Sequence, residues 1–255
     1  MSPVDLDMAS IHISLAAEEI ARISGIPVTN SLLTTWLVMA FIIVLSVSVY
    51  SRLSMVPGYL QIFAELLVGG INKLFEEILH EKNKIYFPYL ATLFIFIIFQ
   101  NWSGLLPGVG TIGFTYEEES MTTTTFIPLL RSGTADLNTT LALALLTIGY
   151  IQFAGLKALG ATYLKKFFNF SNPIYTFVGV LELISEISRI ISFAFRLFGN
   201  IFAGEVLLTV IAFLIPVIAP IPFLGLELFV GFIQALVFSM LSAVFFSLAT
   251  ERAEH

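Results

Sequence analysis

The stretch that decides the fold is residues 173–215, PIYTFVGVLELISEISRIISFAFRLFGNIFAGEVLLTVIAFLI. It is apolar over about twice the roughly 20 residues that a membrane-spanning helix needs. Between Ile190 and Ile215 its strongly polar side chains, small hydroxyls aside, are Arg196, Asn200 and Glu205. As one helix rising about 1.5 Å per residue it runs ~65 Å, against a hydrocarbon core of ~30 Å. It must therefore tilt steeply, kink or extend into the cytoplasm. A charge at membrane depth costs at least ~2.5–3.5 kcal/mol, which is tolerated where the charge lines a water path or meets an opposite charge. Arginine cannot be deprotonated in a protein. It is a poor proton carrier and a good fixed positive charge beside a group that changes its own.

The rest of the chain has the composition this reading needs. Of 255 residues, 57% are hydrophobic and 12% charged, where a soluble domain carries about 25% charged residues. Mean hydropathy is +0.93. These values indicate an integral membrane protein, and with the helix-length apolar blocks described next an all-α one. The net charge of −6 and the absence of a dense basic patch argue against a nucleic-acid partner. With no cysteine, disulfides, thiol catalysis and thiolate metal sites are excluded. His12, His80 and His255 lack metal-ligand spacing, so no metal site is expected. Met1 to Ala21 carries acidic residues and no basic n-region, so it does not resemble a cleavable leader.

Working outward, residues 32–50, 87–106 and 137–156 each have the length and apolarity of a spanning helix. A fifth block covers 223–250. Pro216, Pro220 and Pro222 break the chain before it, so blocks 173–215 and 223–250 form a helical hairpin. Residues 57–83 differ: Phe63, Leu67, Ile71, Leu74 and Ile78 recur at helical spacing among Glu65, Lys73, Glu76, Glu77 and Glu81. That pattern predicts an amphipathic helix lying in the interface. Residues 1–31 are expected outside the membrane. Gly108-Val109-Gly110 and the run Thr122–Thr125 read as turn and polar loop, and Glu117, Glu118, Glu119 and Asp136 as solvated loop acids. With five blocks, one side holds Arg52, Lys73, Lys82, Lys84, Lys157, Lys165, Lys166 and Arg252; the other holds Arg22 and Arg131. The positive-inside rule then places the N-terminus outside and the C-terminus in the cytoplasm.

Polar residues in the last two blocks are ordered. Glu182, Arg189 and Arg196 are spaced by seven and form one slowly drifting stripe, with Ser185 and Glu186 beside it. Asn200 lies one turn beyond Arg196. Glu205, nine residues beyond Arg196, falls on the opposite face. Glu227 and Gln234, also seven apart, share a face of the last block. This layout suits two offset aqueous half-paths separated by a fixed cation, with Glu205 and Glu227 relaying protons outside and Glu182 and Ser185 lining the inner path. Each residue has a plainer reading. Arg196 can pair with Glu186 or Glu205, and the interfacial charges Glu182, Glu186 and Arg189 can snorkel. Asn200, Gln234 and Asn101 can be structural hydrogen bonders.

The run Arg196-Leu197-Phe198-Gly199-Asn200-Ile201-Phe202-Ala203-Gly204-Glu205 resembles the signature of subunit a of F-type ATP synthases. Gly25 to Ser31, Asn101-Trp102-Ser103-Gly104-Leu105-Leu106-Pro107 and Gln234-Ala235 support the resemblance, which covers the chain from about Ile26 onward. It implies an all-helical stator with a long, strongly tilted hairpin against a rotating ring of c subunits, itself without covalent chemistry or a cofactor. It implies Arg196 as the essential ring-facing charge. Asn200, Glu205, Glu227, Gln234 and Asn101 fall on or near the proton inlet; Glu182, Ser185, Ser188 and Arg189 fall at the outlet. Implied partners are the c-ring, b-type peripheral stalk subunits, the remaining synthase subunits and lipid, in an energy-coupling membrane such as the bacterial plasma membrane. The coupling ion is proton or sodium, a choice made mainly by the ring. Two departures stand out: some family members have histidine where this chain has Glu227, and many have proline where it has Ile190. The rival reading is a self-contained ion channel or secondary transporter. Transporters often show inverted repeats, and no long repeat is found here.

Overall fold

The computed structural model describes residues 17–23, 25–117, 124–167, 172–216 and 218–251. Seven α-helices follow in order: α1 (Asn30–Tyr50), α2 (Tyr59–Leu79), α3 (Asn83–Ser103), α4 (Leu137–Leu159), α5 (Ala161–Leu164), α6 (Pro173–Leu214) and α7 (Pro220–Thr250). Among the described residues, five helical stretches are long and apolar enough to cross a membrane. One of them, Tyr59–Ser103, is divided into α2 and α3 by a 3-10 turn at His80–Lys82. His80 takes a left-handed φ of 49°, and across this joint the Asn83 side-chain amide donates to Asn72 at 2.9 Å. The fold is thus the all-α membrane architecture that the apolar blocks predict.

Its limits differ in detail. The block expected from 87 begins at Asn83 and carries Pro88 within the helix. The block expected from 223 begins at Pro220, so Pro220 and Pro222 lie in the first turn of α7. Proline is tolerated there because the missing N–H would have no intrahelical acceptor. Only residues 215–219 separate α6 from α7. Two short antiparallel hairpins were not foreshadowed by the helical pattern: β1 (Glu19–Ile23) with β2 (Ile26–Thr29), and β3 (Gly113–Glu117) with β4 (Thr124–Pro128). Gly25, with φ +87°, sits in the first turn, a conformation open to glycine. Thr124 and Thr125 belong to β4. His12, Glu118, Glu119, Thr122, Thr123, Arg252 and His255 lie outside the described residues.

The core is an aromatic and small-residue seam among α3, α4, α6 and α7. Tyr86 stacks on Phe246 at 4.6 Å between centroids, and Phe193 meets Phe238 edge-on at 4.6 Å. Gly231, Ala235, Ser239 and Ala243 repeat every four residues along the buried side of α7. Small residues at that spacing let helix backbones approach closely. The hydroxyl of Ser239 donates to the Ala235 carbonyl at 2.9 Å, so it adds no unpaired polar group to the seam. The stripe Ile71, Phe75 and Leu79 docks the second half of α2 on this core, while Leu60, Phe63 and Leu66 of its first half remain exposed.

Candidate functional site

Contacts sort the polar residues to two ends of the bundle. At one end the start of α1, the end of α3, the start of α4, the second half of α6 and the first half of α7 converge. Residues 131–136, which enter α4, are all buried there. The backbone N–H of Arg131 donates to Thr34 Oγ1 at 3.2 Å, and Ser132 Oγ donates to the Gln100 carbonyl at 3.0 Å. Thr134 Oγ1 donates to Asn101 Oδ1 at 2.9 Å, and Ser31 Oγ donates to Asp136 at 2.9 Å. Asp136 also caps α4 by accepting from the N–H of Asn138. The close approach at Gly133 explains its residue type: a Cβ there would strike Thr35 Oγ1 and the side-chain oxygen of Gln100.

The expected inlet residues gather at this end but differ in bonding. Asn101 bridges α3 to α7, its amide donating to the Gly231 carbonyl at 3.0 Å. Its oxygen accepts from Thr134, so both ends of the amide are hydrogen-bonded. Glu205 accepts from Arg131 Nε at 3.2 Å and Nη2 at 3.1 Å. Arg131, read from sequence as a loop charge, is therefore a partner of the site. Glu227 is 8% exposed and lies over Gly204, where an added Cβ would overlap its carboxyl group. No ion pair or hydrogen bond holds the Glu227 carboxylate among the described residues. Asn200 and Gln234 each bury an amide nitrogen that meets no acceptor among the described residues.

Residues expected at the outlet lie toward the opposite end. A cleft of about 400 Å³ between α6 and α7 is lined by Ser185, Ser188, Arg189, Ser192, Phe193, Arg196, Leu241 and Phe245. Ser185, Ser188, Ser192 and Arg196 occupy one helical face, at spacings of three, four and four. Ser192 was missed in the sequence because a lone serine in an apolar run carries no signal; its spacing of seven from Ser185 was the available one. Arg189 donates to Glu186 at 2.6 Å and lies 4.1 Å from the centroid of the Phe245 ring. Glu182 turns away from the cleft to pair with Lys166 at 2.6 Å. Nearby, Tyr163 donates to Gln152 at 2.6 Å. Burial, reinforced by Glu186 and opposed by Arg189, pushes its hydroxyl up to about 12.

Arg196 sits between the two ends. Its guanidinium donates to Ser192 Oγ at 3.3 Å, and no carboxylate lies within ion-pair reach among the described residues. Glu186 is paired to Arg189 and Glu205 to Arg131, so neither candidate counter-ion for Arg196 is used that way.

Apolar helices enclosing two polar regions define an all-α integral membrane protein. Residues 32–247 match the family model described as ATP synthase A chain. A curated protein named ATP synthase subunit a from Citrifermentans bemidjiense is 35% identical over 224 residues, covering 88% of this chain and 89% of that one. Proteins of the same name from Syntrophobacter fumaroxidans and Geobacter sulfurreducens are 34% and 33% identical, each across 86% of this chain and 83% and 86% of theirs. The chain belongs to the ATP synthase subunit a family.

Proposed function

We propose that this chain is the stator subunit that feeds protons to the carboxylates of a rotating c-ring and removes them, through two offset half-paths. The observation that carries the reading is the position of Arg196. It is a permanent cation without a carboxylate partner among the described residues, at the end of a serine-lined cleft and apart from the acidic cluster at the other end. Along α6, Ser185 lies ~16 Å to one side of Arg196 and Glu205 ~13 Å to the other at 1.5 Å per residue. Ser185 and Glu205, at the far ends of the two regions, thus lie about 30 Å apart along the helix, comparable to the thickness of the hydrocarbon core.

The residues divide the work by charge. Glu227, buried and without a partner among the described residues, takes protons entering from the external side, with Asn200, Gln234 and the Arg131–Glu205 pair around it. A protonated ring carboxylate that reaches Arg196 gives up its proton toward Ser192, Ser188 and Ser185, because the guanidinium stabilises the anion. A proton travelling directly between the half-paths is repelled by the same charge, by about 4 kcal/mol at 4 Å and an effective dielectric constant of about 20. That is roughly a thousandfold barrier to leakage. Arg189, paired with Glu186, lines the cleft, and Glu182, paired with Lys166, lies outside its lining. The Lys and Arg distribution supports an external N-terminus and a cytoplasmic C-terminus. The length of α6, ~63 Å at 1.5 Å per residue, supports a tilted α6–α7 hairpin. The c-ring, b-type stalk subunits and the catalytic sector are the partners of this reading, and a bacterial plasma membrane is its setting.

Thiol labelling from each side tests it, since the chain has no native cysteine. In assembled complexes, Ser188→Cys is expected to react with a small impermeant cationic reagent from the cytoplasmic face. Gln234→Cys is expected to react from the external face. One continuous accessibility profile from a single side contradicts two half-paths.

A further inference from the structure

Arg189 lines the serine cleft, yet its partner Glu186 does not, although the two side chains meet at 2.6 Å. Resting on the half-path reading above, we propose that Gln152, Tyr163 and Glu186 form a buried binding site for ordered water where α6 meets α4 and the segment 160–167. Through that water Gln152 and Tyr163 act as positioning residues that keep the Glu186 carboxylate out of the outlet cleft.

Two buried atoms of opposite hydrogen-bonding character have no protein partner among the described residues. Glu186 is 8% exposed. Its Oε1 accepts from Arg189, while its Oε2 is buried and meets no donor. Gln152 Oε1 accepts from the Tyr163 hydroxyl at 2.6 Å, while its Nε2 is buried and meets no acceptor. Tyr163 brings the two groups into one neighbourhood. Burial and then the Glu186 charge raise the proton affinity of its hydroxyl, so the carboxylate lies within electrostatic reach of the atom that Gln152 holds. The tyrosine ring packs so closely on α4 that a Cβ at Gly155, on the same face as Gln152, would overlap it. The segment that carries it is fixed to α6 by the Lys166–Glu182 pair and by the Phe167 carbonyl against Gly179. A bare buried polar atom is costly, more so when charged. Buried water ordinarily serves such atoms, with about three hydrogen bonds each. Here it accepts from Gln152 Nε2 and donates to Glu186 Oε2 and to the Tyr163 oxygen. The carboxylate then stays beside Arg189 and off the cleft lining, which holds two arginines, three serines and no acid. An anion in that cleft would attract the departing proton and delay its release.

The test is thiol labelling of the assembled complex in inverted vesicles, with Ser188→Cys as the reporter in the cleft. A carboxylate that loses its water turns toward the nearest water, which is in the cleft. In Gln152→Met/Ser188→Cys the ratio of labelling rates by a cationic and an anionic reagent of equal size should therefore rise about fivefold over Ser188→Cys alone. That is the effect on opposite charges of one carboxylate ~8 Å away in water. Gln152→Asn, which keeps an amide, should return the ratio toward that of Ser188→Cys alone. Adding Glu186→Gln to Gln152→Met should abolish the rise, since no charge is left to move. Loosened packing by itself would speed both reagents alike, so an unchanged ratio in Gln152→Met overturns the positioning role. A rise that survives Glu186→Gln overturns it as well. Ser188→Cys that labels only from the external face instead sinks the half-path reading, a separate failure. A density map of the wild-type complex fine enough to show ordered water needs no variant to assemble. Water density within hydrogen-bond reach of both Gln152 Nε2 and Glu186 Oε2 is expected. No density there, a direct bond between the two groups, or a protein or lipid group filling the space overturns the site.

Discussion

Gly204→Ala adds one methyl group at the tightest point between α6 and the acidic residue of α7. A Cβ at position 204 falls inside van der Waals contact with the carboxyl carbon and both oxygens of Glu227. The carboxyl must rotate away or the two helices must separate. Overpacking of this kind costs ~1–3 kcal/mol. Borne at the proton-transfer step, that is roughly a 5- to 150-fold loss of flux. The assay is ATP-driven proton uptake normalised to assembled complex. Gly149→Ala is the control, because a Cβ there meets nothing within 4 Å. It should leave flux unchanged and slightly favour its helix. Gly204→Ala/Glu227→Asp should regain part of the lost flux, since aspartate keeps the charge and withdraws it by one methylene. Full flux in Gly204→Ala, or a double variant no better than the single, refutes a transport role for this contact.

Three further outcomes follow from the same structure. Thr134→Val leaves the buried Asn101 oxygen without its donor and should destabilise the protein by ~1–3 kcal/mol; Thr134→Ser, which keeps the hydroxyl, should melt near the wild-type temperature. Arg189→Lys keeps the positive charge but loses the flat stacking on Phe245, at ~0.5–2 kcal/mol, read as a lower melting temperature of the complex that Arg189→Met should exceed. Tyr163 has a folded-state value raised to about 12, above the ~10 of a free tyrosine. The neutral form is the one the fold holds, so this stability is fully present below about 10 and is lost as pH rises toward 12. Thermal melts should therefore fall less steeply over that window in Tyr163→Phe than in the wild type.

The membrane helices were legible because the bilayer demands long apolar stretches, and the polar stripe on α6 because residues spaced by seven share a face. The stripe and its flank predicted Ser185 and Arg189 beside Arg196, the family resemblance added Ser188, and all three line one cleft. The stripe also predicted Glu182 there, but Glu182 found Lys166, a contact across a loop that helical periodicity cannot express. Arg131 was hidden for the same reason. Its pairing with Glu205 joins residues far apart in sequence through a connection buried by tertiary packing, whereas sequence reasoning assigns such connections to solvent. A trace of it existed in Ser132-Gly133-Thr134-Ala135-Asp136, small residues that permit close packing and end in a helix cap. The start of α7 was misplaced because proline was read only as a breaker, and at a helix N-terminus it is also an initiator.

Arg196 is proposed above as the fixed charge at the exchange step with the ring. ATP-driven proton uptake by inverted membrane vesicles, wild type against Arg196→Ala, tests it most directly, with co-purification of the other subunits to show that the complex is intact. The account predicts an assembled variant that takes up no protons on ATP addition. Undiminished ATP-driven uptake by that assembled variant would contradict it and leave Arg196 a structural residue hydrogen-bonded to Ser192.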